Sequence, residues 1–434
     1  RDGRVWVGLT EVPAEVRQRR ARDALRAACD DYDYERIARE LARLDRAGGD
    51  ARGAVAEAIQ WSHDRLENGM THAYAAAADW LALHDEADGE GATRLACLTE
   101  AIGGIAWDAL RHRPYPYTRR VRAWDARRFA DAVEAEDEGT AVAHVQGALR
   151  DGRRLADLER PMAAAALRHY CDFGHSLIYV QKAVELAARL GPAVEPALAR
   201  ALTRALVYAY REDKLPQFRR YAQARQAWGR QTWGRAGAAG KRDGEASGLG
   251  VNDALDWALA RSATAAPETI HRALLRAAAR NLVRFDVALE GRWTNSVATN
   301  VGWLDFTHGL TFGHAVGTLA AKYPELWPDG LIQMACFVGR NAGYLGPDAP
   351  VAPIADRPAF WRRTRQAVLD HGLRDPIFGA HRVKTACAVR AEATADPADD
   401  VLLAALGRYL AARPKEKHVR RVAHQALAFV AREG

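Results

Sequence analysis

The sequence predicts an all-α protein: one large helical domain of about 15–20 helices, preceded by a short β-strand remnant. Two observations carry this. From about residue 13 onward, apolar residues recur at spacings of three and four with no strand-rich stretch between them. Glycine and proline fall mostly where one such stretch gives way to the next. A chain of 434 residues with 49% hydrophobic content can bury a substantial core.

Taken in order, Val12-Pro13 opens an amphipathic stretch that runs to about Asp30, and 34–44 continues it. Further stretches follow at 54–66, 72–84 and 94–110. Segment 111–120, with Pro114 and Pro116, cannot be regular helix and is expected as an extended connection. Helical spacing resumes at 124–135, 140–149, 158–167, 176–190 and 194–210, the last two separated by Gly191-Pro192, a stop and start signal. Segment 228–251 is rich in glycine and polar residues and reads equally as a linker or a lid. Helices are then expected at 253–261, 268–281, 314–322, 331–339, 358–369, 378–393, 399–412 and 417–432.

At the start, Val5, Val7 and Leu9 alternate with other residues after the turn signal Asp2-Gly3, which reads as the second strand of a hairpin. A lone hairpin is marginal in water, and the chain does not open on methionine, so an upstream β-domain is expected. Residues 1–12 form the remnant and 13–434 the helical domain.

Composition excludes several classes. No apolar run approaches the roughly 18 residues of a membrane span. The net charge of +7 is modest for the length, and the arginines spread over many helical faces without a basic stripe interleaved with aromatics, which argues against nucleic acid. Cys29, Cys97, Cys171, Cys336 and Cys387 lie far apart with no C-x-x-C pair, as expected of buried thiols in a reducing compartment. Neither a signal peptide nor a membrane anchor is evident, so a cytoplasmic location is expected.

The chemistry-bearing signal is a heptapeptide that occurs twice. His169-Tyr-Cys-Asp-Phe-Gly-His175 and His308-Gly-Leu-Thr-Phe-Gly-His314 both read H-x-x-x-F-G-H. Looser relatives are Met70-Thr-His72 and Phe378-Gly-Ala-His381. Imidazole is the commonest protein metal ligand, and four helices that each open on a histidine could converge on one ion. Histidines six apart on an unbroken helix differ by about 240° around its axis. A break at Phe-Gly would put His175 and His314 in the first turn of their helices, with His169 and His308 on the preceding segments. The second histidines are therefore the stronger candidates. His381 and Lys384, three apart, point to one side of a helix, and Lys384 could ligate only as a neutral amine or as a carbamate formed with carbon dioxide. No G-x-S-x-G, H-E-x-x-H, P-loop or Rossmann glycine pattern is present, and Glu268-Thr-Ile-His271 is the single E-x-x-H where a di-iron bundle needs two. Asp64, Glu67, Asp172 and Asp305 are placed to orient imidazoles from behind or, first for Asp172, to cap helices. Trp61, Tyr74, Trp80, Trp107, Tyr179 and Trp303 could line a substrate pocket.

These residues resemble the questin oxidase-like family. The resemblance rests on Glu67-Asn-Gly-Met-Thr-His72-Ala-Tyr-Ala-Ala-Ala-Ala-Asp-Trp-Leu, on Asp172-Phe-Gly-His175-Ser-Leu-Ile and on Phe378-Gly-Ala-His381-Arg-Val-Lys384-Thr-Ala-Cys-Ala, short motifs spread from about residue 60 to 393. It implies a helical oxygenase with one non-haem iron held by His72, His175, His381 and a carboxylated Lys384; the repeated heptapeptide, and not the resemblance, offers His314 or His308 to complete the set. Gly69 stands where the family pattern has a histidine, and His63 is the candidate substitute. Residues 1–9 are similar to the closing strand of Rieske domains, which implies an upstream [2Fe-2S] electron-donor domain outside this chain, whose cluster ligands it lacks.

The expectation is thus a non-haem iron oxygenase or oxidase acting with dioxygen on a medium-sized, aromatic or polyketide-like organic molecule. No nucleic-acid or membrane partner is expected. The competing readings are a helical-repeat interaction module without chemistry and a zinc-dependent hydrolase with a carbamylated lysine.

Overall fold

In a computed structural model of the protein, residues 12–110, 112–229, 245–291, 301–348, 350–351, 353–397 and 400–413 are described. Among them are eighteen α-helices and no strand. The first eleven are α1 (Ala14–Asp31), α2 (Tyr34–Arg46), α3 (Ala54–Ser62), α4 (His72–Glu86), α5 (Gly91–Ala109), α6 (Ala126–Glu134), α7 (Glu138–Arg150), α8 (Leu155–Ala166), α9 (His175–Leu190), α10 (Glu195–Val207) and α11 (Tyr221–Ala227). The remainder are α12 (Val251–Ser262), α13 (Pro267–Val283), α14 (Trp303–Lys322), α15 (Trp327–Asn341), α16 (Arg357–Leu369), α17 (Pro376–Ala395) and α18 (Val401–Ala411). The expected all-α domain is what the chain forms. None of the described helices is long and apolar enough to cross a membrane. The remnant strand, the helix expected at 417–432 and most of the glycine-rich segment lie outside the described residues.

Four helices make the centre. α4 packs on α9 and α17, and α14 packs on the same two, so the four close a ring. The other helices wrap this ring: α5 covers α4, α8 and α10 cover α9, α13 and α15 cover α14, and α18 lies on α17. The sequence accounts for the arrangement. In α4, every residue from Ala73 to Leu81 is buried, and all but Asp79 are apolar, as an interior helix requires. Its alanines permit close approach; a Cβ on Gly104 of α5 would meet Ala73 at 3.3 Å.

The same reasoning explains where periodicity misled. Helix α14 begins at Trp303 and not at His314, because Phe306, Leu310, Phe312 and Val316 bury different faces and leave no amphipathic stripe to read. The short α11 was not expected at all.

One ion network ties two ring helices together. Lys182 of α9, 6% exposed, donates to Asp79 of α4, 3% exposed, at 2.8 Å, and to Glu185 at 2.8 Å. Desolvating these charges is costly unless each keeps its partner. Lys182→Met, which leaves Asp79 buried and unpaired, is expected to lower unfolding free energy by about 3–5 kcal/mol in urea titrations. A loss below about 1 kcal/mol would show that water reaches the pair.

Candidate metal centre

One histidine comes from each helix of the ring. His72 is the first residue of α4, following Thr71 at the helix N-terminus. His175 is the first residue of α9. His308 stands in the second turn of α14, and His381 in the second turn of α17 with Lys384 one turn on. His308, His381 and Lys384 are 5%, 1% and 1% exposed. The His72 ring lies 4.5 Å from that of His175, 4.4 Å from His381 and 5.9 Å from His308, centroid to centroid. Lys384 Nζ is 2.7 Å from His72 Nδ1.

Hydrogen bonding decides which nitrogens face inward. His308 Nδ1 lies 2.5 Å from the Leu304 carbonyl, and His381 Nδ1 lies 2.8 Å from the Ile377 carbonyl. A carbonyl oxygen only accepts, so both Nδ1 atoms carry the proton and both neutral rings present an Nε2 lone pair to the centre. Yet these Nε2 atoms are 3.2 Å apart, and His175 Nε2 is 2.7 Å from His308 Nε2. His175 turns its own Nδ1 toward Asp172 Oδ2 at 3.4 Å, the carboxylate backing common behind ligating imidazoles. Facing lone pairs repel unless a proton or a metal cation lies between them. Protonation is disfavoured, because burial and neighbouring cationic groups hold His72, His308 and His381 well below the ordinary histidine value. Burial also pushes Lys384 down to about 7, so a large share of its amine is neutral at neutral pH.

The donor set fits a metal. Potential ligand atoms of His72, His308 and His381 lie within 4.8 Å of one another. Nitrogens about 2.1 Å from one ion stand roughly 3.0–3.4 Å apart at adjacent positions, close to the His308–His381 separation. Asp305, expected behind an imidazole or as a cap, accepts from the Gly302 backbone N–H at 2.8 Å and caps α14.

Three predicted histidines lie elsewhere. His314 shares the unbroken α14 with His308, six residues on, and so faces away; its Nδ1 meets Glu392 at 2.7 Å. His169 sits between Asp213 at 2.8 Å and Glu134 at 3.0 Å. His63 bonds the Gln60 carbonyl and stacks on Tyr117. No histidine could stand at position 69, because Gly69 has φ +80° and a Cβ there would fall 2.3 Å from the Ala201 carbonyl oxygen.

The two heptapeptides therefore share letters and not structure. In the first, Asp172, Phe173 and Gly174 take φ of +48°, +52° and +74°, a left-handed turn that breaks the chain before α9 and delivers His175. In the second, Phe312-Gly313 continues the helix, and Gly313 lets Leu275 and Met334 approach. The first contributes its last histidine to the centre, the second its first. The left-handed turn is held from outside. Buried Glu212 accepts from the Phe173 N–H at 3.0 Å and pairs with Arg340 at 3.0 Å, whose guanidinium lies 4.0 Å over the Phe173 ring. Sequence reading did not find this clamp, since nothing local marks Glu212 or Arg340.

A cavity of about 780 Å³ opens onto His72 and His175. Trp80, Trp107 and Tyr179 line it, Tyr179 stacking on His175 with centroids 5.3 Å apart. Trp61, Tyr74 and Trp303 do not: Trp61 lies under Arg26, Tyr74 bonds Ser62, and Trp303 packs on Phe285. Sequence reading missed Asp108 on the cavity wall, whose carboxyl burial pushes up. No family model, curated protein or solved structure matches the chain.

Two outcomes follow from the turn and from His169. Gly174→Ala puts a side chain at positive φ, with its Cβ 2.5 Å from Phe312, and is expected to cost about 2–4 kcal/mol. Gly313→Ala, which meets only the movable ends of Leu275 and Met334, should stay within about 1 kcal/mol in the same denaturation assay. His169 is held above its ordinary value, chiefly by its hydrogen bond to Asp213 and then by Glu134. Its contribution is complete below the unfolded value of about 6.5 and is lost as pH rises through the higher folded value. Stability measured upward from pH 6 should therefore fall by a component that His169→Asn lacks.

Proposed function

We propose that the protein is a non-haem iron-dependent oxygenase or oxidase acting on a medium-sized organic molecule held in the cavity beside His72 and His175. The single observation that carries the reading is the convergence of the Nε2 atoms of His175, His308 and His381, with those of His308 and His381 left as lone pairs by Nδ1–H donation to backbone carbonyls. An interaction module has no use for such an arrangement, because facing unprotonated imidazoles destabilise a core that could have been apolar. His72, His175, His381 and Lys384, which the resemblance to questin oxidase-like proteins singles out, all belong to the cluster, and this agreement supports the reading.

In this reading, His72, His175, His308 and His381 hold the iron, which supplies dioxygen activation and one-electron redox chemistry when bound. Lys384 supplies the anionic ligand. Its neutral amine attacks the carbon of carbon dioxide; a nitrogen–carbon bond forms, a C=O π pair moves to oxygen, and the amine proton leaves to solvent. The resulting carbamate places one negative charge among neutral imidazoles. Asp172 orients His175 and offsets positive charge across its ring. The packed ring of α4, α9, α14 and α17 keeps bulk water from three sides, while the cavity leaves the His72–His175 side open to substrate. Five free cysteines, four of them buried, suit a reducing cytoplasm.

Elemental analysis of purified protein tests the reading. Iron is expected near one per chain, falling at least about tenfold in His175→Ala and in His308→Ala while both variants remain helical by circular dichroism. His314→Ala and His63→Ala should retain it. Zinc in place of iron would favour a hydrolase, for which a carbamylated Lys384 serves equally well. Under ¹³C-labelled carbon dioxide, a protein-bound carbamate resonance is expected in the ¹³C spectrum and should vanish in Lys384→Met.

A further inference from the structure

The four histidines of the cluster are not aimed in the same way. His308 and His381 are fixed by carbonyls of their own helices, and His72 meets Lys384. His175 has no such anchor. It is the first residue of α9, whose N-terminus carries no side-chain cap. Its Nδ1 faces Asp172 Oδ2 at 3.4 Å, and Asp172 belongs to the turn that delivers it. The direction of its ring is therefore set by the three residues before it. Without His175, potential ligand atoms of His72, His308 and His381 already form a compact set within 4.8 Å.

Those three residues hold an unfavourable conformation. Four non-glycine residues have positive φ among the described residues, and Asp172 and Phe173 are the two that stand side by side. Side chains in the left-handed region are disfavoured, so two in succession persist only where neighbours over-determine them. Segment 210–213 supplies those neighbours. The Asp172 N–H donates to the Tyr210 carbonyl at 2.8 Å, and the Asp213 N–H to the Tyr170 carbonyl at 3.0 Å. Between these bonds lies Glu212, 3% exposed, whose two carboxylate oxygens have different partners. Oε2 accepts from the Phe173 N–H at 3.0 Å, and Oε1 accepts from Arg340 at 3.0 Å.

Arg340 also donates to the buried Tyr170 hydroxyl at 3.1 Å and lays its guanidinium 4.0 Å over the Phe173 ring. That ring lies 5.5 Å from the ring of His308, centroid to centroid. Arg340 stands near the end of α15, which packs on α14, the helix of His308. The pair thus ties the His175 turn to the two helices behind His308. A buried ion pair is weak evidence for a stabilising role, because well-packed apolar residues commonly serve as well. Here one of its oxygens holds the backbone of a strained residue two positions before a ligand, which an apolar pair could not do.

We propose that Glu212 and Arg340 are positioning residues of the metal centre, which deliver His175 to it as a fourth nitrogen ligand beside His72, His308 and His381. Neither touches the ion. With the pair intact, the turn keeps its left-handed form and His175 Nε2 stays 2.7 Å from that of His308. Without it, Asp172 and Phe173 relax toward ordinary φ, α9 starts in another direction, and three imidazoles remain. The inference rests on the metal-binding part of the proposed function and is independent of the substrate and the reaction.

The test is a double-mutant cycle on cobalt(II) affinity, with the metal titrated into metal-free protein at neutral pH. Glu212→Ala and His175→Ala are each expected to weaken binding about 10–100-fold. The double variant should bind within about twofold of His175→Ala alone, because Glu212 acts through a ligand already gone. Visible absorption of the bound cobalt, which reports ligand number and geometry, should match between Glu212→Ala and His175→Ala and differ from the wild type. Arg340→Lys keeps the charge beside Glu212 but loses the planar face over Phe173, so it folds even where Glu212→Ala does not. It should lose about two- to tenfold in affinity with His175 present and nothing in the His175→Ala background. Unchanged cobalt affinity and spectrum in these variants, or losses that add to that of His175→Ala, overturn the proposal. A wild-type protein that takes up no cobalt removes the metal reading and this inference together. Cobalt binding with an additive cycle removes this inference alone.

Discussion

Everything in the site depends on imidazole lone pairs held face to face in a buried space. His308 and His381 donate their Nδ1 protons to carbonyls one turn back on their own helices, so each ring is fixed in tautomer and direction by the helix that carries it. That local bond costs nothing in tertiary structure, yet it commits two Nε2 atoms to point at each other across 3.2 Å. Burial removes the easy escape, protonation, by holding both rings well below the ordinary histidine value. Two unprotonated rings facing each other at this distance repel, a cost that a cation between them would relieve. The surrounding helices must therefore be stable without it, and the alanine-rich packing of α4 and the Asp79–Lys182–Glu185 network supply that stability independently.

The division of labour among the ring helices follows from how each presents its histidine. α4 and α9 bring theirs at the first residue, where the cavity can reach them. α14 and α17 bring theirs from the second turn, packed behind. The open side of the centre is therefore the side of His72 and His175, and it is there that the cavity lies. The backbone cost of the α9 entry, two non-glycine residues in the left-handed region, is roughly 1–2 kcal/mol each. It is met by contacts outside the site: Glu212 on the Phe173 N–H, and Arg340 against the Phe173 ring. A strained turn retained where it aims His175 at the cluster is a place where sequence-level regularity is expected to give way.

Much of the fold was legible because most helices have one buried face, and a buried face leaves a period. Where all faces are buried, as in α14, the period vanishes, and its start was misjudged by three turns. That single error moved the expected weight from His308 to His314: with the helix unbroken, geometry permits only one of them inward. His72, His175, His381 and Lys384 were readable from motif and spacing. His63 and His169 could not be excluded without knowing that Tyr117 and the Glu134–Asp213 pair occupy them. Asp108, Glu212 and Arg340 carry no local signal, since their roles arise from contacts between segments far apart along the chain.

The span of the histidine cluster along the chain has a consequence for biosynthesis. Lys384 and His72 meet although 312 positions separate them along the chain, so the cluster cannot assemble before α17 has been made. Helices α4 and α9 emerge early and must wait, their histidines uncommitted, until α17 arrives. The cluster is complete only once α17 has been made, and a product lacking α17 would hold His72, His175 and His308 without His381 and Lys384.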